Sequence, residues 1–185
     1  MAVLAETSTA QAEAISMSEL IDREKTRGVR EVFTTKQEAR AAVVAVTSRA
    51  NRSLAILTPD LEPEIYDHDD FLETLKRFIL ARSFARVRVL IADPSRAIKN
   101  GNRLVEMGRR LNSYIEFRHI KPECGEHNEA FCIADDSAIV YRARSDTWEG
   151  MSDTHEPAVA RKYLDTFDEL WNICETDPAL RRLHV

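Results

Sequence analysis

Residues 128–141 read Asn128-Glu-Ala-Phe-Cys-Ile-Ala-Asp135-Asp-Ser-Ala-Ile-Val-Tyr141. Two runs, Glu129 to Ala134 and Ser137 to Tyr141, are short, apolar and rich in aromatic or β-branched side chains. They flank Asp135-Asp136, and that spacing predicts a β-hairpin with a two-residue turn region. Downstream, Ala160, Tyr163, Leu164, Phe167, Leu170, Trp171 and Cys174 share one helical face, so a helix is expected over 157–174 with Pro157 in its first turn. Upstream, Tyr114 to Ile120 reads as a strand and Gly101 to Asn112 as a helix. Val87-Arg-Val-Leu-Ile-Ala92 is a buried strand closed by Asp93-Pro94. Before it, Phe71, Leu72, Leu75, Phe78 and Ile79 mark another helix, and Ser53 to Leu57 another continuous apolar strand. Ala39, Ala42, Val43, Val46 and Ala50 form the inner face of the first helix, with Thr35 and Glu38 as a capping box. Val29 to Thr34 makes a first short strand.

The order β-α-β-α-β-α-β-β-β-α predicts an α/β fold: a mixed, mostly parallel sheet flanked by helices on both faces. Residues 1–28 are rich in Ala, Ser, Thr, Glu and Gln and are expected to form an N-terminal arm outside one domain at 29–176, with a tail at 177–185. The 185 residues match about one domain, and 44% hydrophobic with 31% charged residues is enough to build a core. A formal charge of −5 argues against a dedicated nucleic-acid coat but leaves room for a local basic patch. No apolar run approaches membrane-helix length, and no basic segment precedes an apolar one at the start. Cys124, Cys132 and Cys174 are odd in number and widely spaced, as reduced thiols of a cytoplasmic protein would be.

No nucleophile elbow, P-loop, dinucleotide fingerprint or zinc-protease motif occurs, so no cofactor or metal is implied. Residues 60–70 hold Asp60, Glu62, Glu64, Asp67, Asp69 and Asp70 without a Lys or Arg. They read as a solvated loop leading into a helix, with a divalent-metal site as the alternative. Between Arg96 and Lys121, seven basic residues face only Glu106 and Glu116. Arg96, Lys99, Arg103 and Arg110 fall at helical spacings and define a candidate contact patch for nucleic acid or an acidic protein, against a plain solvated helix face. Cys124 and His127 could pair, but their acidic neighbours work against a reactive thiolate.

The hairpin and the closing helix, Tyr163-Leu-Asp-Thr-Phe167-Asp-Glu-Leu-Trp171, resemble one half of the phospholipase D superfamily over about residues 30–175. In that family a strand–turn–strand unit carries H-x-K-x-x-x-x-D. The resemblance puts Asn128 where the nucleophilic His stands, Ala130 at the phosphate-binding Lys, and Asp135 at the acid. An amide is not a comparable nucleophile and a methyl group brings no charge. His127 is one residue out of phase. Ser145 lies in the nearest polar cluster after the hairpin, and Glu156 stands at a late acid position. The resemblance therefore implies a degenerate cleft at Asn128, Asp135, Ser145 and Glu156, a non-catalytic binding or scaffold role, and a homodimer, because one-motif members build their cleft from two copies. Asp135 has the simpler reading of a turn residue. The alternative is a hydrolase with a relocated site, using His155 with Asp153 and Glu156, or a metal at the 60–70 loop.

Overall fold

The computed structural model describes residues 28–125, 127–176 and 180. The elements are β1 (Arg30–Phe33), α1 (Lys36–Arg49), β2 (Ser53–Thr58), α2 (Pro63–Tyr66), α3 (Asp69–Ala81), β3 (Arg86–Ile91), α4 (Ser95–Asn100), α5 (Arg103–Arg110), β4 (Ile115–His119), β5 (Ala130–Ala134), β6 (Ala138–Arg142), β7 (Gly150–Asp153), α6 (Pro157–Ile173) and β8 (Glu175–Thr176). The eight strands form one sheet in the order β1-β7-β6-β5-β2-β3-β4-β8.

Thr35 caps α1: its hydroxyl accepts from the Glu38 N–H at 3.3 Å, and the Glu38 carboxylate accepts from the Thr35 N–H at 3.0 Å. The backbone N–H groups of Thr34 and Thr35, both donating to it at 3.0 Å, hold the Glu38 carboxyl below the usual carboxylate range. β2 is apolar along its length because both faces are covered. Leu54 and Ile56 join a core with α1 and α3, while Ala55 and Leu57 join a second core with Phe167, Leu170 and Trp171 of α6. Helices thus flank both faces, as expected.

The balance of the sheet differs from the expectation of mostly parallel pairing. Only β2–β3 and β3–β4 are parallel; the other five neighbours are antiparallel. Helices connect the strands up to β4. After it β5, β6 and β7 follow without an α-helix between them and add to the far side of β2 as an antiparallel meander, and α6 then leads from β7 to β8 at the opposite edge. The helix expected over 101–112 forms as α5, and a further helix, α4, precedes it; Gly101, at φ 78°, separates the two, and Asn102 caps α5 by accepting from the Leu104 N–H at 2.9 Å. Gly108 lets α5 lie against β4, since a Cβ there would stand 2.3 Å from the Phe117 ring.

The arm read at 1–28 lies, but for Gly28, outside the described residues, and so does the 177–185 tail except Leu180. Leu180 is buried in the first core, and its carbonyl accepts from Arg109 Nε at 3.2 Å.

The hairpin turn is pinned by Asp135. At φ 54° it occupies the left-handed region, and its carboxylate accepts from the backbone N–H groups of Asn51, Arg52 and Ser53, the last two at 2.7 and 2.9 Å. One side chain thereby joins the β5–β6 turn to the α1–β2 loop. Asp135→Ala is expected to lower unfolding free energy by about 2–3 kcal/mol, from lost charge-assisted hydrogen bonds and strain at positive φ. Asp135→Asn, which tolerates the left-handed region and keeps an acceptor, loses less. Urea unfolding of the two variants beside wild type checks this; equal losses would contradict it.

Candidate functional site

The start of β5 and the carboxyl end of β2 meet at one end of the sheet. Ala130, the first residue of β5, pairs across the hairpin with Arg142, the last of β6. Both are buried on the α1 face, at 3% exposure each. The Arg142 guanidinium donates to the Glu62 carboxylate, which is itself 5% exposed. Its other nitrogen donates to the Thr147 carbonyl at 3.0 Å, and the group stacks on Trp148 at 5.1 Å. Burial pushes the Glu62 carboxyl above its usual pKa, against the opposing pull of Arg142. Glu62 also accepts from the Thr58 hydroxyl at 3.4 Å. The chain delivers Glu62 inward through Leu61, a fully buried side chain whose backbone takes φ 64°. Such a conformation costs roughly 1–3 kcal/mol and persists only where packing enforces it. The space left against Tyr66, Ala130, Cys132 and Arg142 is a cavity of about 10 Å³, at or below what one water needs.

The four cleft residues do not converge. Asn128 is exposed, and its carbonyl accepts from the Ser145 N–H at 2.6 Å, so these two lie together before β5. Asp135 lies beyond the far end of β5, a strand roughly 13 Å long. Glu156 joins that far end: its N–H donates to the Ser137 carbonyl at 2.6 Å, and its carboxylate binds Arg30 at 2.9 Å.

The basic patch and the acidic loop, read separately in the sequence, bind each other. Arg96 pairs with Asp60 at 2.8 Å and Glu64 at 3.5 Å. Arg103 pairs with Asp67 at 2.6 Å and Asp69 at 2.5 Å, and holds the Asp69 carboxyl below its usual pKa. Arg96 and Arg103 are thus paired within the chain while still exposed, as Lys99 and Arg110 are. The stripe is also broken by the α4–α5 boundary at Gly101. Among the described residues no group of three or more His, Cys, Asp or Glu is arranged to hold a metal ion, the 60–70 acids included.

The relocated-site alternative meets the same obstacle. Asp153 is buried, accepting from Arg30 Nε at 3.1 Å and from the His155 N–H at 2.9 Å, while Glu156 binds the same arginine. Asp153 thus meets His155 through its backbone N–H, and Arg30 engages both acids. His127 Nε2 contacts the Cys124 carbonyl at 3.2 Å, not its thiol.

The Glu62–Arg142 pair escaped the sequence reading. Its one signal is Arg142 closing an apolar strand, where a charge needs a buried partner.

Comparisons place the chain. It belongs to the family described as Domain of unknown function (DUF7931), whose profile matches residues 35–183. No curated protein matches its sequence. Solved structures share the fold: TrmBL2, an archaeal chromatin protein, at 12% identity and a TM-score of 0.57, covering 95% of this chain. The chain spans 65% of that protein's length. Nuc from Salmonella typhimurium, a phospholipase D family member, matches at 16% identity and 0.55, covering 81% of this chain and 98% of its own. NucT from Helicobacter pylori matches at 15% and 0.55, covering 81% and 99%. The fold is phospholipase D-like.

Removing one partner of the buried pair strands the other. Arg142→Met is expected to cost about 3–5 kcal/mol near neutral pH. A carboxyl whose folded pKa is raised destabilises above its unfolded value, about 4.3. The gap between Arg142→Met and wild type should therefore narrow as pH falls through the folded Glu62 pKa toward that value. Urea unfolding across pH tests this; a gap that widens in acid would contradict it.

Proposed function

We propose that this member of the DUF7931 family is a non-catalytic phospholipase D-like domain that binds nucleic acid. The observation that carries the first half is the pairing at Ala130: no cation projects from that position, and Arg142, opposite it, is committed to Glu62 and Thr147. Phosphoryl transfer to a side chain needs a nucleophile and positive charge on the equatorial oxygens. Asn128 and Ala130 supply neither. Asn128 and Ser145 then mark a remnant of the cleft, and Asp135 keeps a role in the turn.

Nucleic acid is favoured as partner because TrmBL2, whose structure is described as showing a novel mode of DNA binding, shares the fold over nearly the whole chain. A homodimer belongs to the same proposal, since a chain with one motif position builds a cleft only with a second copy. No helix among the described residues is long and apolar enough to cross a membrane.

The full chain, incubated in chelator with a chromogenic phosphodiester and with labelled DNA, is expected to give no turnover above buffer. Turnover abolished by Asn128→Ala would overturn the non-catalytic reading. Sedimentation at micromolar concentration is expected to give a dimer; a stable monomer would contradict that part.

A further inference from the structure

Across most of the surface, arginines are matched by carboxylates: Arg30, Arg88, Arg96, Arg103, Arg118, Arg144 and Arg161 all carry ion pairs. The end of the sheet where β2 and β3 begin is different. Residues 74–92 contain Lys76, Arg77, Arg82, Arg86 and Arg88 and no acid. Only Arg88 of these has a carboxylate, Asp168 on α6. Arg82 donates to the Asn51 side-chain carbonyl at 2.8 Å, Arg77 to the Thr74 hydroxyl at 3.2 Å, and Arg86 to the Ala85 carbonyl at 2.8 Å. Neutral acceptors orient a guanidinium without cancelling its charge.

The topology gathers these groups. The Arg86 N–H donates to the Arg52 carbonyl at 3.0 Å, which sets the loops entering β2 and β3 side by side. Between the carboxyl ends of α1 and α3 lies a groove of about 240 Å³ lined by Ser48, Asn51, Thr74, Arg77, Phe78 and Arg82. The loop itself reads Arg82-Ser-Phe84-Ala-Arg86. Ala85 is fully buried and its N–H donates back to the Arg82 carbonyl at 3.1 Å. That tight turn leaves Phe84 59% exposed, an expensive place for an aromatic ring without a partner. The acids around the hairpin turn at this end are already occupied: Asp135 by three backbone amides, Asp136 by Arg161 at 3.0 Å and Glu156 by Arg30 at 2.9 Å.

We propose that this end of the sheet is the surface that takes a single-stranded nucleic acid. Arg77 and Arg82 hold backbone phosphates along the groove, Arg52 and Arg86 extend the track, and Phe84 stacks on an unpaired base. Unpaired guanidinium groups beside an exposed ring are the two components of single-strand recognition: charge that follows the backbone, and a platform for bases. A duplex offers no free base face to Phe84, which is why the single strand is the occupant. The inference rests on the nucleic-acid half of the proposed function and assigns it a location opposite the remnant cleft.

The test is fluorescence anisotropy of the full chain with a labelled strand of about 12 nucleotides, within the span such surfaces cover, and with the matching duplex. The expected result is tighter binding of the single strand, weakening as salt rises from about 50 to 200 mM. Phe84→Ala is expected to weaken it about tenfold. Arg77→Gln and Arg82→Gln should each weaken it and reduce the salt slope by about 0.7. Lys99→Gln and Arg110→Gln should leave it unchanged. Circular dichroism melts establish that each variant is folded; the exposed Phe84→Ala change keeps the test open even if an arginine variant is not. If the strand binds but the Arg77, Arg82 and Phe84 variants match wild type, this location is overturned while nucleic-acid binding stands. Tighter binding of the duplex overturns the single-strand assignment. If neither nucleic acid binds at low salt, the inference and the binding half of the proposed function both fall.

Discussion

A guanidinium and a carboxylate sit together in the dry end of this molecule. Neither Arg142 nor Glu62 is tolerable there alone, because a lone buried charge costs several kcal/mol. Their pairing accounts for much that surrounds them. Leu61 is held at positive φ so that Glu62 can face inward; Trp148 and the Thr147 carbonyl close over the guanidinium; Ala130 stays small and uncharged beside it. By the resemblance to the phospholipase D superfamily, Ala130 stands where that family's phosphate-binding Lys would be. Here the local positive charge is spent on a carboxylate of the same chain.

The same economy governs the surface above it. Four of the acids of residues 60–70, Asp60, Glu64, Asp67 and Asp69, and the arginines at 96 and 103 are two halves of one clamp, which binds α4 and α5 to the segment after β2. These pairs are exposed and each contributes little to stability. Their consequence is electrostatic: they neutralise the end of the sheet where the sequence shows its densest charge. The formal charge of −5 thus describes no part of the molecule well. The opposite end, with Arg77, Arg82 and Arg86 held by neutral acceptors, carries positive charge that no carboxylate of the chain pairs.

How legible this was in the sequence depends on range. The β5–β6 hairpin, the capping box at Thr35 and Glu38, and the apolar stripe of α6 are written in neighbouring residues, and each forms as the spacing predicts. β7 was not legible, because Gly150-Met-Ser-Asp153 has no apolar alternation and becomes a strand only by pairing with β6 and β1. That omission is also why the sheet looked mostly parallel. At the site, Asn128 and Ala130 stand out only through the resemblance to the phospholipase D superfamily, which sets them where its motif has His and Lys. What fills the space is not legible, since Glu62 and Arg142 are 80 residues apart. The arginine–acid clamps, 32 to 36 residues apart, were likewise invisible as pairs.

The central claim is that the charge near Ala130 is locked within the chain and does not receive phosphate. Crystals of the protein soaked with tungstate, a heavy analogue of phosphate, test it directly. The account predicts Arg142 still on Glu62 and no tungstate between Asn128 and Arg142. Tungstate held there, with the guanidinium swung away from Glu62, would contradict it.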